Sequence, residues 1–230
     1  MDKRYLLMQV NDSVFPIGGY TQSYGLETYI LKDVVKTADH VTAYIGENLH
    51  LAFAHTELLA ASLAYDYATA GDMDKLAELD EILSISKVPQ EIREASHKLG
   101  GRFVKTVETT AVAFETTAFS QYAAKVKAKE VTPNHAVAYG VFCASLQVEK
   151  ADALSFFLYS ATSAMVTNAV KTIPLSQTQG QQILYKLTDS FPKLLEKVEN
   201  LNPETLCMSL PALDIRCMQH ECLYSRLYMS

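Results

Sequence analysis

The sequence lacks the basic surplus that is typical of nucleic-acid-binding proteins. Its 230 residues contain 20 Lys and Arg against 26 Asp and Glu, which gives a net charge of −6. Binding to a phosphate backbone usually needs a positive face, so the composition argues against a nucleic-acid partner. Arginine is scarce, and any role that needs a planar, forked cation falls to five residues. They are Arg4, Arg93, Arg102, Arg216 and Arg226.

The common nucleotide-binding motifs are also missing. The chain has no Gly-Lys-Ser or Gly-Lys-Thr, so it has no P-loop. Gly18, Gly19 and Gly25 do not form a Gly-x-Gly-x-x-Gly fingerprint, and no strand pattern precedes them. Cys143 lies in an apolar helical pattern, where cysteine acts as a small core residue. These motifs therefore give no support to an enzyme, and a helical enzyme whose site is assembled from residues distant in sequence stays open as an alternative.

The cysteines do not form a disulfide or zinc framework. Cys143, Cys207, Cys217 and Cys222 include no Cys-x-x-Cys pair. The apolar run near the N-terminus is six residues long and is interrupted by Gln9, which is too short for a secretory signal. We expect reduced thiols and a cytoplasmic protein.

Apolar residues recur at helical spacing along most of the chain, and no segment shows a convincing strand alternation. We predict an all-α protein with a single globular domain over residues 1–230 and about eight to ten helices. The predicted helical segments are 41–67, 73–84, 90–107, 111–127, 134–147, 154 up to Pro174, 176–187 and 192–199.

One stretch, residues 151–170, is long enough to raise the question of a membrane span. It contains polar residues that include Asp152, Thr162 and Asn168, too many for a helix that faces lipid. We predict a buried helix and no membrane partner.

A short segment near the C-terminus has the composition of a metal site. A thiol and an imidazole at Cys217 and His220 would suit nickel, copper or zinc. On a helix these two residues align with Glu221, whereas Cys222 points away. A nickel site formed by Cys217 and His220, with Cys222 possible across a dimer, is therefore the alternative to a protein that binds no metal.

Two segments are unusual for their positions. Residues 12–27 contain a Pro-x-Gly-Gly turn followed by a helix start, and the segment is either a structural turn or a loop that exposes Phe15, Tyr20 and Tyr24. Residues 214–230 carry Met, Leu, Tyr and Arg to within one residue of the C-terminus. This composition is typical of interface hot spots, and the tail packs either on its own core or on another protein.

Four sequence segments, in order along the chain, resemble the urease accessory protein UreF family. They are residues 12–27 (Asp-Ser-x-x-Pro-x-Gly … Gly-Leu-Glu), Glu91–Ser96, Ile173–Gln177 and 214–230 with its His220-Glu221 and Arg226-Leu227 pairs. The sequence differs mildly from the family pattern, with Ser176 in place of Gly and Tyr20 and Tyr228 in place of Phe. Ser176 is a plausible helix N-cap.

The resemblance implies a non-catalytic adaptor in urease maturation, which is not an enzyme and has no cofactor of its own. Such a protein forms a homodimer and binds a UreD/UreH-type accessory protein. Together they recruit the nickel-carrying GTPase UreG and deliver the metal to apo-urease. A role in modulating GTP hydrolysis would need one of the five arginines to reach the nucleotide.

The resemblance also suggests which residues carry these contacts. We expect the tail to bind the UreD/UreH-type partner through His220, Glu221, Leu223, Tyr224, Arg226, Leu227 and Tyr228. The N-terminal motif would face a partner or shape the fold through Pro16, Gly18, Tyr20, Ser23, Gly25 and Glu27. We interpret Glu91, Arg93 and Ser96 as a buried polar network.

Overall fold

The computed structural model describes residues 2–208 and 210–229, and within them the predicted all-α fold is confirmed. The described regular structure is helical throughout, without strands. The α-helices are α1 Lys3–Val10, α2 Leu26–Leu31, α3 Ala38–Asn48, α4 Leu59–Ala70, α5 Met73–Ser86, α6 Gln90–Thr110, α7 Ala118–Lys127, α8 His135–Ser145, α9 Lys150–Thr172, α10 Gln177–Thr188, α11 Phe191–Glu199 and α12 Pro211–His220.

A π-helical segment, Leu49–Leu58, joins α3 to α4, so residues 38–70 form one continuous helix. π-Helical turns shift backbone carbonyls away from their usual partners. Two of these carbonyls bind the C-terminal part of the chain. The His50 oxygen accepts from Lys197 Nζ at 2.8 Å, and the His55 oxygen accepts from Cys207 N at 2.8 Å.

The short helices α1, α2 and α12 add to the eight segments that periodicity predicts. Ser176 caps α10 as expected, because its hydroxyl accepts from Gln179 N in a capping box. The predicted start of α7 at residue 111 is seven residues too early. Ala111 adopts a left-handed conformation (φ 53°) that ends α6, and the following loop packs Phe114 against Phe119 instead of continuing a helix.

The core forms where α4, α6 and α8 pack together. Phe103 of α6 contacts the rings of Tyr139 and Phe142 on α8, and all three side chains are fully buried. Gly140 allows α8 to approach α4 closely, since a Cβ there would lie 2.4 Å from the Ala61 carbonyl oxygen.

Helix α9 has the length and the apolar composition to cross a membrane, but half of its most apolar 18-residue stretch is buried inside the fold. Phe157 and Leu158 lie in the core. Its buried polar groups are paired, because Thr162 donates to the Leu158 carbonyl and Asn168 Nδ2 donates to the Gln22 carbonyl at 2.7 Å. Helix α9 therefore packs as a core helix.

The buried carboxyl group of Asp80 fixes the N-terminus of α8. Asp80 of α5 accepts from the backbone N–H of Asn134 and from the Tyr122 hydroxyl, each at 2.6 Å. The Asn134 side chain accepts from Ser96 on α6. Burial raises the pKa of Asp80 to about 7, although hydrogen bonds from Tyr122 and Asn134 oppose this shift.

We predict that Asp80 makes the fold less stable as the pH rises from 4 to 7.5. The folded protein keeps the Asp80 proton up to about pH 7, whereas the unfolded chain releases it near 3.8. The folded state therefore binds more protons in this window, and the free energy of unfolding falls by on the order of 4 kcal/mol relative to Asp80→Asn. Denaturant unfolding of the wild type and of Asp80→Asn at several pH values measures this difference in the free energy of unfolding. Glu81→Gln, an exposed neighbour, is the control, and parallel profiles for wild type and Asp80→Asn would contradict the prediction.

Two adjacent glycines in α6 provide a matched test of the α6–α8 contact. A Cβ at Gly100 would lie 2.4 Å from the Pro133 carbonyl oxygen, whereas one at Gly101 would meet nothing within 4 Å. We expect Gly100→Ala to lower the free energy of unfolding by about 1–3 kcal/mol through overpacking. We expect Gly101→Ala to raise it by about 0.5–1 kcal/mol, because alanine favours helices. Equal effects of the two substitutions in chemical denaturation would show that the contact is not tight.

Candidate functional site

The C-terminal tail folds back onto the N-terminal motif. Helix α12 ends at His220, and residues 221–229 run beside residues 21–27. Met229 N donates to the Thr21 carbonyl at 2.9 Å. The Tyr228 ring is buried, and its hydroxyl donates to the Asn168 carbonyl at 3.2 Å. Two segments at opposite ends of the sequence therefore form one site.

Glu27 lies at the centre of this site. Its Oε1 accepts from Leu227 N at 2.6 Å. Its Oε2 accepts from Tyr228 N at 3.1 Å and faces His220 Nε2 at 3.0 Å. Hydrogen bonds to a carboxylate are stronger than neutral ones, so a single side chain fixes the path of the tail at three points.

Glu91, near the start of α6, supplies the second carboxylate. Its Oε2 lies 2.7 Å from His220 Nδ1, and its Oε1 accepts from Arg226 Nη1 at 2.5 Å. We call Glu27, Glu91, His220 and Arg226 the tail clasp. It joins α2, α6, α12 and the tail.

The clasp places charged groups in a largely dry setting. The side chains of His220 and Glu27 are 0% and 4% exposed. Both imidazole nitrogens face carboxylate oxygens, and a ring with two N–H groups satisfies both contacts. The site thus brings two carboxyl groups, one imidazole and one guanidinium together through contacts at hydrogen-bond distance. His220 and Glu27 are the buried members, so removing either of them leaves a buried polar group unpaired, which is destabilising.

A glycine lets α12 pack over the start of α2. Gly25 has φ 85° and precedes α2 directly. A Cβ at this position would lie 2.9 Å from Cys217 Sγ. Glycine therefore satisfies both the left-handed backbone and the close approach, and this approach brings His220 within reach of Glu27.

The N-terminal motif is mostly structural on its inner side. Ser23, Gly25 and Glu27 are buried, whereas Pro16 and Tyr20 are exposed. Gly18 adopts φ 88°, beside Arg102, whose Nη1 donates to the Ile17 carbonyl at 3.2 Å.

The interpretation of residues 12–27 as an exposed aromatic loop is met only in part. Phe15 is buried against Phe103, with ring centroids 5.9 Å apart, and Tyr24 is half-buried. Tyr20 is the aromatic residue of this motif that remains exposed.

The three residues interpreted as one polar network lie in separate contacts. Glu91 belongs to the tail clasp. Arg93 donates to the Lys87 carbonyl at 2.8 Å, and Ser96 donates to Asn134 at 2.9 Å. At about 100° per residue, Glu91 lies about 140–160° around the helix from Arg93 and Ser96. Arg93 and Ser96 share a face, but Arg93 reaches back to the turn before the helix and Ser96 reaches Asn134.

The tail also presents side chains outward. Tyr224 is fully exposed, and Leu227 is 63% exposed. These two residues border a shallow depression together with Leu31 of α2. Glu221 is exposed and Leu223 is half-buried. The tail therefore has an inner side held by the clasp and an outer side that is largely apolar.

The geometry gives no support to a nickel site at Cys217 and His220. Both nitrogens of His220 face carboxylates of the clasp. Burial raises the pKa of the Cys217 thiol to about 12, so the thiolate that a metal needs is disfavoured. Cys222 is exposed beyond the end of α12. Among residues 2–208 and 210–229, no group of three His, Cys, Asp or Glu side chains is arranged to hold a metal ion.

All five arginines make contacts within the chain. Arg93, Arg102 and Arg226 donate as described above. Arg4 pairs with Asp2 on the surface, and Arg216 donates to Gln219 and lies over the Tyr29 ring. In this conformation each guanidinium has a partner within the chain, and the side chains of Arg4 and Arg226 are exposed.

The pairing of Glu27 with His220 could not be found from sequence patterns. The two residues are 193 positions apart, and helical periodicity carries no information on such contacts. The available signal was the resemblance, which includes the segments that contain Glu27, Glu91 and His220.

The fold and the clasp define an all-helical protein whose C-terminal tail is held against its N-terminal motif. The UreF family model matches residues 35–188. Named relatives, each called urease accessory protein UreF, cover 97% of this chain. The Haemophilus influenzae (strain Rd) protein is 37% identical over 94% of its own length. The Actinobacillus pleuropneumoniae serotype 5b protein is 34% identical over 97%, and the Ureaplasma urealyticum serovar 10 protein is 31% identical over 95%.

The chain therefore belongs to the UreF family of urease accessory proteins.

We predict that Cys217→Ser leaves the nickel affinity of the chain unchanged, because the thiol is buried and protonated. Isothermal titration with Ni²⁺ measures this affinity. Cys222→Ser, which alters the exposed thiol, is the matched variant. A loss of nickel binding on Cys217→Ser alone would restore the metal-site interpretation.

Proposed function

We propose that this protein is a non-catalytic adaptor in urease maturation. With a UreD/UreH-type accessory protein it recruits the UreG GTPase for GTP-dependent nickel insertion into apo-urease. Membership of the UreF family supports the role in urease maturation. The finer steps rest on the resemblance of the motifs and on the shape of the tail.

The observation that carries the proposal is the two-sided tail. Residues 226–228 are fixed on the inner side by Glu27 and Glu91, while Tyr224, Leu227 and Met229 are exposed. Exposed apolar and aromatic side chains on a fixed backbone favour protein binding. We assign this outer side to the UreD/UreH-type partner.

Six of the seven tail residues predicted to contact a partner fall into two groups by exposure, and the seventh, Leu223, is half-buried. Tyr224, Leu227 and Glu221 are available on the surface. His220 and Tyr228 are buried within the chain, and Arg226 is bound to Glu91. In this proposal the second group acts by shaping the tail, and the first group touches the partner.

The remaining features of the proposal are a homodimer and a cytoplasmic location. They are supported by the resemblance to the family, and the net charge of −6 agrees with the absence of nucleic acid among the expected partners. A role in modulating GTP hydrolysis would need one of the five arginines to leave its present contact and reach the nucleotide of the GTPase.

We predict that Tyr224→Asp weakens binding to the UreD/UreH-type partner at least tenfold. A charge in the centre of an apolar contact is costly to bury, and aromatic residues often dominate interfaces. Calorimetry or co-purification with the partner measures the change. Tyr185→Asp, at an exposed tyrosine of α10, is the matched control. Equal binding of both variants would remove the tail from the interface, and a wild-type chain that fails to bind a folded partner would refute the adaptor role.

A further inference from the structure

Glu27 lies beneath the tail, at the bottom of the depression that Tyr224 and Leu227 border. Its side chain is 4% exposed, and its oxygens contact His220, Leu227 and Tyr228. We propose that Glu27 is a positioning residue for partner binding, which acts by holding the tail in one register. This inference rests on the proposed function, because it assigns the residue a part in that interface.

The register matters because neighbouring tail residues face opposite ways. Leu227 N and Tyr228 N both donate to Glu27, yet the Tyr228 side chain is buried and that of Leu227 is exposed. A slip by one residue would exchange these environments. The two consecutive N–H contacts to a single carboxylate therefore decide which side chains the tail presents outward.

The other carboxylate of the clasp is less able to fix this register. Past His220, Glu91 contacts the tail through the side chain of Arg226, which is 40% exposed. Ion pairs with this much access to solvent contribute little, because water and salt screen them. Glu27 instead binds the backbone itself, and its contacts are shielded from water.

The hold on the tail can be tested without any partner. Trypsin cleaves after Arg226 only when the surrounding backbone opens, and loss of residues 227–230 is read by mass spectrometry. We expect Glu27→Gln to raise the rate of this cleavage at least tenfold in the full-length chain. We expect Glu27→Asp, which keeps the charge at shorter reach, to restore part of the protection.

Two variants separate this effect from a general loss of stability. Ser96→Ala removes a buried hydrogen bond to Asn134 in the core without touching the tail, so cleavage after Arg226 is expected to stay at the wild-type rate. Glu94→Gln changes an exposed carboxylate on the same helix as Glu91, with the same expectation. If Glu27→Gln accelerates cleavage after Lys127 as much as after Arg226, the residue is merely structural and the proposal is overturned.

The second measurement is affinity for the UreD/UreH-type partner. We expect the dissociation constant of Glu27→Gln to rise at least tenfold while Ser96→Ala binds like the wild type. Unchanged cleavage after Arg226 would overturn the hold on the tail, and faster cleavage with unchanged affinity would overturn the role in binding. If Glu27 protects the tail from cleavage but the wild-type chain does not bind the partner, the proposed function fails. The contact between Glu27 and the tail would still stand on the cleavage result.

Discussion

The buried carboxylate of Glu27 is the constraint on which the C-terminal part of the structure depends. A carboxylate removed from water must be matched by donors, because an unpaired buried charge is very unfavourable. Here the donors come from one distant segment, as two backbone N–H groups and the ring of His220. The need to pair this charge therefore selects one conformation of the tail.

The helical core provides the fixed frame for that pairing. Glu27 is held in α2, whose preceding residue, Gly25, lies against Cys217 of α12. Glu91 is held in α6, which packs on α8 through the close contact at Gly100 and through the Ser96–Asn134 hydrogen bond. The two carboxylates are thus presented by separate helices, and only a tail that passes between them can satisfy both.

The sequence allowed the helical body to be predicted, because each helix has an apolar stripe of its own and that signal is local. The boundary errors arose where local rules are weak. Ala111 takes a left-handed conformation at the end of α6. Glycine or asparagine usually occupies such a position, so the sequence contains no signal for this helix end. The clasp was beyond such rules altogether. Nothing in the residues around position 27 indicates that His220 will face it, and Glu91 was grouped with Arg93 and Ser96 because they are neighbours in sequence.

The balance of forces in the tail differs from that in the core. Among the described residues 221–229, Tyr228 has the one buried side chain, so hydrophobic burial contributes little to holding this segment. Polar contacts hold most of the tail in place, and their partners are Glu27, Glu91, Thr21 and Asn168. Segments with few buried apolar contacts open more readily than the body of a fold. The surface that the tail presents is therefore governed by a small set of charged groups, each of which can be changed without removing a side chain from the hydrophobic core.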